Sequence, residues 1–113
     1  MANLDQYRKF VQEIIIELHG YNQGNLNQGV DSQMILDTDR DHYLLLDVGW
    51  QDKKYVYAVF VHIDIKDGKI WIQRNNTEIN LAERLQVKGV SSSDIVLGLH
   101  SPFLRQFSGY AIA

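Results

Sequence analysis

The dipeptide Asp67-Gly68 sits between two runs of alternating apolar residues, YVYAVFVHIDIK before it and KIWIQRN after it. In that setting Asp-Gly supplies the left-handed backbone of a two-residue hairpin turn, so it joins two antiparallel strands in a defined register. Lys66 then stands opposite Lys69, Ile65 opposite Ile70 and Ile63 opposite Ile72. Side chains alternate across a sheet, so these four isoleucines share one face, which must be covered.

The neighbouring segments extend the hairpin into a meander. Residues 42–50 and 55–65 flank a polar loop at 51–54. A four-residue loop pairs Trp50 with Tyr55, Val48 with Tyr57, Leu46 with Val59 and Leu44 with Val61, all on the isoleucine face. Residues 32–37 form a shorter first strand. A four-residue loop at 38–41 turns Ile35 to that face, whereas a five-residue loop turns Met34 and Leu36 there. Extended, residues 55–65 span roughly 36 Å at ~3.3 Å per residue. Such length in a small domain implies a strong twist, a bulge, or a strand that protrudes into a dimer.

Residues 3–19 repeat Leu4, Tyr7, Val11, Ile14, Ile15 and Leu18 at helical spacing, with Asn3 as cap and Gly20 as stop. This amphipathic helix is the cover for the isoleucine face. Residues 21–30, rich in Asn, Gln and Gly, are a loop. A second helix over residues 79–87, capped by Thr77 or Asn80, ends at Gly89. Residues 91–94 begin a short turn, and 95–99 suit a fifth strand. Pro102 breaks the chain, and Phe103, Leu104, Phe107 and Tyr110 dock the tail. The expected fold is α+β: one domain over residues 1–113, an antiparallel β-meander of four to five strands with the N-terminal helix on one face and a short helix after the hairpin.

In this register the opposite face carries Tyr43, Leu45, Asp47, Val56, Ala58, Phe60, His62, Asp64, Trp71, Gln73 and Asn75. That is more apolar than a sheet facing water, so this face meets the C-terminal segment or another chain. Tyr43, Phe60, His62, Asp64, Trp71 and Gln73 are the candidate partner surface, aromatic anchors being typical of interfaces.

Chemistry is harder to find. There is no cysteine, hence no disulfide and no thiolate–zinc centre. Net charge is −3 with scattered Lys and Arg, which disfavours autonomous DNA binding. The start MANLDQYRKF has no leader pattern, and no apolar run approaches the ~20 residues of a membrane span, so a cytoplasmic chain is expected. Asp37, Asp39 and Asp41 resemble a calcium loop, but His42 and Val48 stand where an EF-hand needs Gly and Glu. The four histidines, His19, His42, His62 and His100, lack metal-motif spacing. His62 and Asp64 share a face and suit an acid–base pair, without a nucleophile beside them. Ser91-Ser92-Ser93 lies in no nucleophile elbow. No catalytic, cofactor-binding or metal residue is assigned.

Five blocks taken together carry a resemblance: LDQYRKFVQEII, DTDRDHYLLLDVGW, DIKDGKIWIQRNNTEI, GVSSSDIVLGLHSP and RQFSGYAIA. In this order, over nearly the whole chain, they resemble the XisI family, the excision-controlling-factor proteins of cyanobacterial developmental DNA elements. The resemblance implies a non-enzymatic accessory factor for site-specific excision, acting with a XisH-like companion and a separate recombinase. It brings no catalytic residues and no cofactor. A homo-oligomer, dimer or higher, is expected from the long strand and the second apolar face, with DNA engaged only indirectly and no membrane. Two alternatives stand beside this: a metal-dependent nuclease using Asp37, Asp39 and Asp41, or a small DNA-binding directionality factor.

Overall fold

The computed structural model of the chain describes residues 3–22 and 29–113. Within them, helix α1 (Leu4–Asn22) precedes strands β1 (Val30–Asp37), β2 (His42–Gln51), β3 (Lys54–Lys66) and β4 (Lys69–Asn75). Helix α2 (Leu81–Val87), a 3-10 turn at Ser92–Asp94, strand β5 (Ile95–Val96) and helix α3 (Pro102–Arg105) follow. The described strands form one sheet in chain order, β1-β2-β3-β4-β5. The first three pairings are antiparallel; β5 lies parallel to β4, because α2 carries the chain back across. The fold is therefore the expected α+β architecture, with its last strand parallel and only two residues long.

The Asp67-Gly68 hairpin has the predicted register: Lys66 opposite Lys69, Ile65 opposite Ile70, Ile63 opposite Ile72. Both turn residues have positive φ, 54° and 76°, as this two-residue turn requires. At the other end of β3, Trp50 pairs with Tyr55, and the ladder runs one pair further to Gln51 and Lys54. The turn there is shorter than the expected four-residue loop, with Asp52 left-handed at φ 55°.

Between these two correct ends the register slips by one. Leu46 pairs with Val59, but Leu45 pairs with Val61, which leaves Phe60 as an extra residue on β3. A one-residue slip exchanges the faces of the strand beyond it. Tyr43 and Leu45, expected outside, are therefore inside and fully buried; Leu44 pairs with His62 on the outer face. The first strand inherits the exchange. The loop at 38–41 has four residues, as one of the two alternatives had it. Yet Ile35, opposite Leu44, is exposed, and Leu36, opposite Tyr43, packs on the core. Phe60 itself packs partly against the core. A second extra residue, Gln73, separates the Ile63–Ile72 pair from the His62–Arg74 pair.

Helix α1 lays Tyr7, Val11, Ile14, Ile15 and Leu18 on Tyr43, Leu45, Val61, Ile63, Ile65, Ile70 and Ile72. Asn3 caps it, its Oδ1 accepting from the backbone N–H of Asp5 and Gln6. The helix does not stop at Gly20. Gly20 is exposed and contacts nothing that a Cβ would disturb, and the Tyr21 hydroxyl donates to Glu17 one turn back, so the last turn persists. Residues 23–28 of the expected loop lie outside the described residues.

Leu81, Ala82 and Leu85 of α2 join the same core. Of its two candidate caps, Asn80 serves, accepting from Glu83 N–H. At its end Val90 N–H returns to Leu85 O and Gly89 N–H to Gln86 O, a Schellman motif with Gly89 at φ 111°. Pro102 begins α3 instead of breaking the chain: its missing N–H falls where a first-turn donor has no helical partner. Of the four residues expected to dock the tail, Phe103, Leu104 and Phe107 are exposed. Tyr110 packs on the core, and Ala111 bridges to Val96.

Polar bonds lock the helix to the sheet. Arg8 reaches Asp41 through Nε at 2.8 Å and Nη2 at 3.1 Å, and Tyr43 Oη donates to the same carboxylate at 2.9 Å. Tyr7 Oη donates to Asp94 at 2.5 Å; burial, then this partner, push the phenol up to about 12.

Two predictions test this arrangement. Leu45→Ala should cost about 2–5 kcal/mol, and Ile35→Ala less than about 1 kcal/mol, in urea unfolding; equal losses would contradict the bulge. The Arg8 hydrogen bonds hold the Asp41 carboxyl below its ordinary value, against burial. Its contribution is present above the unfolded-state pKa of about 3.9 and is lost as pH falls through the lower folded value. The urea midpoint of the native chain should fall between pH 5 and pH 2–3 (values set about the carboxylate range), and Asp41→Asn should make that fall shallower.

Candidate functional site

The β3 bulge decides what the outer face carries. Leu45 is in the core, so Leu44, Leu46, Val48 and Trp50 face away from α1, with Val59, Tyr57 and Tyr55 opposite the last three. On β1, Ile35 continues the stripe opposite Leu44. Trp50 is 57% exposed, Tyr55 51% and Tyr57 64%, and the Trp50 and Tyr55 rings meet at 5.1 Å. These residues were expected under the helix. The slip turns them outward, where sequence reasoning missed them.

At the other end of this face stands a polar cluster. His42 opens β2 directly opposite Asp64 of β3, and His62 lies two residues from Asp64 on the same face. His42 Nδ1 is 2.8 Å and His62 Nε2 2.9 Å from the same oxygen, Asp64 Oδ1. The bulged Gln73 donates through Nε2 to Asp64 Oδ2 at 3.3 Å. Burial raises the Asp64 carboxyl; the bonds from His42 and His62 more than offset it, so the group stays below the ordinary carboxylate range. The Asp64 bond in turn raises His42.

Trp71, opposite Asp64 on β4, is buried by the C-terminal segment. Lys66 Nζ lies 4.3 Å from its ring centroid and Arg105 Cζ 5.3 Å. Arg105 also donates to Leu97 O and His100 O, pinning α3 over the sheet. Gly98 passes so close that a Cβ there would meet Gln73 Oε1 at 2.4 Å and Trp71 Cε3 at 3.2 Å.

Of the six residues predicted for this surface, the structure brings His62, Asp64, Trp71 and Gln73 together. It places Tyr43 in the core, beyond the reach of a partner, and tucks Phe60 partly against the core at the bulge. His42 was missed. An unslipped register sets it opposite Ile63, on the wrong face; only the extra residue brings it to Asp64.

Of Asp37, Asp39 and Asp41, the first and last have structural partners for their carboxylates. Asp37 Oδ1 accepts from the N–H groups of Asp39 and Arg40, an Asx turn that holds its carboxyl below the usual range. Asp41 is engaged by Arg8 and Tyr43. No helix among the described residues is long and apolar enough to cross a membrane.

The same architecture recurs in solved structures. A XisI-like protein from Anabaena variabilis ATCC 29413 is 42% identical, covering 98% of this chain and 100% of its own, with a TM-score of 0.93. The fdxN element excision controlling factor XisI from Anabaena variabilis ATCC 29413 is 38% identical, covering 97% of this chain and 98% of its own, with a TM-score of 0.86. Among curated proteins none matches. The family model described as XisI protein matches residues 1–112, and the chain belongs to the XisI family.

Proposed function

We propose that this protein is an accessory factor in the programmed excision of a DNA element, working by protein–protein contact and without a catalytic step of its own. A relative with near-complete mutual coverage is named an excision controlling factor, which supports the excision role. The reading is supported by one observation, the exposed apolar side chains of the outer face, Ile35 on β1 and the group Trp50, Tyr55 and Tyr57 at the far end of β2 and β3. Exposed aromatic side chains grouped on a rigid sheet are what an interface centre requires. The partner is a XisH-like protein, and DNA is engaged through it. A net charge of −3 fits that division of labour, since direct phosphate contact asks for a basic face.

Self-association is a second reading with its own observation. β4 pairs with β3 only from Val61 onward, so, among the described residues, 54–58 of β3 have a ladder partner on β2 alone. An unpaired strand edge is a template for another strand, and here the template is another copy of the same hairpin.

Two measurements check these readings. Co-expression and pulldown should recover a XisH-like chain with the native protein. Tyr57→Asp with Trp50→Asp should abolish recovery, while Val87→Asp, an exposed site on the helix side, retains it. Recovery unaffected by the double change would move the contact elsewhere. Light scattering at micromolar concentration should give at least twice 13.1 kDa; a monomeric mass would remove the second reading.

A further inference from the structure

The geometry points to a divalent transition-metal site on the outer face, with His42 Nδ1, His62 Nε2 and Asp64 Oδ1 as its three protein ligands. These atoms all lie within 4.8 Å of one another. They come from paired strands and not from a loop, since His42 and Asp64 are direct cross-strand partners and His62 stands next along the same face. Two imidazole nitrogens and one carboxylate oxygen suit Zn2+ and its first-row neighbours, whereas Mg2+ and Ca2+ prefer oxygen alone.

The surroundings are those of a metal ligand set. Gln73 Nε2 binds Asp64 Oδ2, which orients the carboxylate and leaves Oδ1 toward the two rings. Such an outer hydrogen bond is the usual support of a ligating carboxylate. The Asp64 side chain is 17% exposed and that of His62 34%, so two ligands are held in place, while His42, at 54%, has room to swing. Metal–ligand bonds of about 2.0–2.2 Å set tetrahedral ligand atoms about 3.3–3.5 Å apart. The present 2.8 and 2.9 Å contacts thus open by about half an ångström, each imidazole binding through the nitrogen that now faces Asp64 and carrying its proton on the other. Three ligands leave a fourth position, on the exposed side of His42. That position takes water, or a donor atom from whatever docks on this face.

Titration calorimetry of the metal-stripped full-length chain with ZnCl2, paired with Co2+ absorption, tests the site. The expected result is 1:1 binding and the visible bands of low-coordinate Co2+. Gln73→Ala should weaken Zn2+ by about ten-fold, in line with the loss of an outer-shell bond. His62→Ala and Asp64→Ala should weaken it further, and His100→Ala should leave it unchanged. His42→Gln, at an exposed position, should also abolish the Co2+ bands and stands in if the His62 or Asp64 variants do not fold. Absence of 1:1 binding to the native chain, or binding that survives His42→Gln, overturns the proposal.

Discussion

One extra residue in β3 governs this molecule. Phe60 has no partner on β2, and its presence exchanges the faces of β3 on either side of it, so that Val61 and Ile63 point to the core while Tyr55, Tyr57 and Val59 point away from it. On one side of that point Tyr43, Leu45, Val61 and Ile63 enter the helix-covered core. On the other, Trp50, Tyr55 and Tyr57 are turned to the uncovered face. The core and the outer stripe are two results of the same insertion, and so is the meeting of His42 with Asp64. The β4 bulge at Gln73 adds to it by presenting an amide to the second carboxylate oxygen.

Around this point, polar side chains fasten each layer to the next. Arg8 and Tyr43 converge on Asp41, so the first hairpin loop is tied both to α1 and to the core tyrosine. Glu17 with Arg84 and Glu13 with Lys88 link α1 to α2. These last pairs are partly exposed and contribute little energy each. At the far side Arg105 spans four backbone carbonyls of the tail while lying against Trp71.

The elements legible in the sequence were those with local causes. Asp67-Gly68 dictates its own turn, the Tyr7–Leu18 stripe its own helix, and the XisI-like blocks their family. The bulge was not legible, because β2 reads Leu44-Leu45-Leu46 across the slip and three successive leucines satisfy either face. Two turns, each correctly placed at opposite ends of β3, seemed to confirm one continuous register, while the discrepancy lay midway between them. For that reason Tyr43 was placed on the outer face although it lies in the core, and His42 was left out of the cluster at Asp64. Pro102 and Gly20 misled for a simpler reason: both are ordinary in a helix's first position or an exposed last turn.

The order of the sheet has a kinetic consequence. Strands β1 to β4 are neighbours in sequence as well as in space, so each pairing closes only a short loop, and the meander can assemble by successive local steps. Helix α1 is different. Its tyrosine at position 7 meets Asp94, 87 residues away, and its apolar stripe has no partner until the strands have formed. During synthesis α1 is made before everything it packs on. The helix that seals the core is thus made before the strands it covers, and until they pair its apolar stripe is open to contact with other chains.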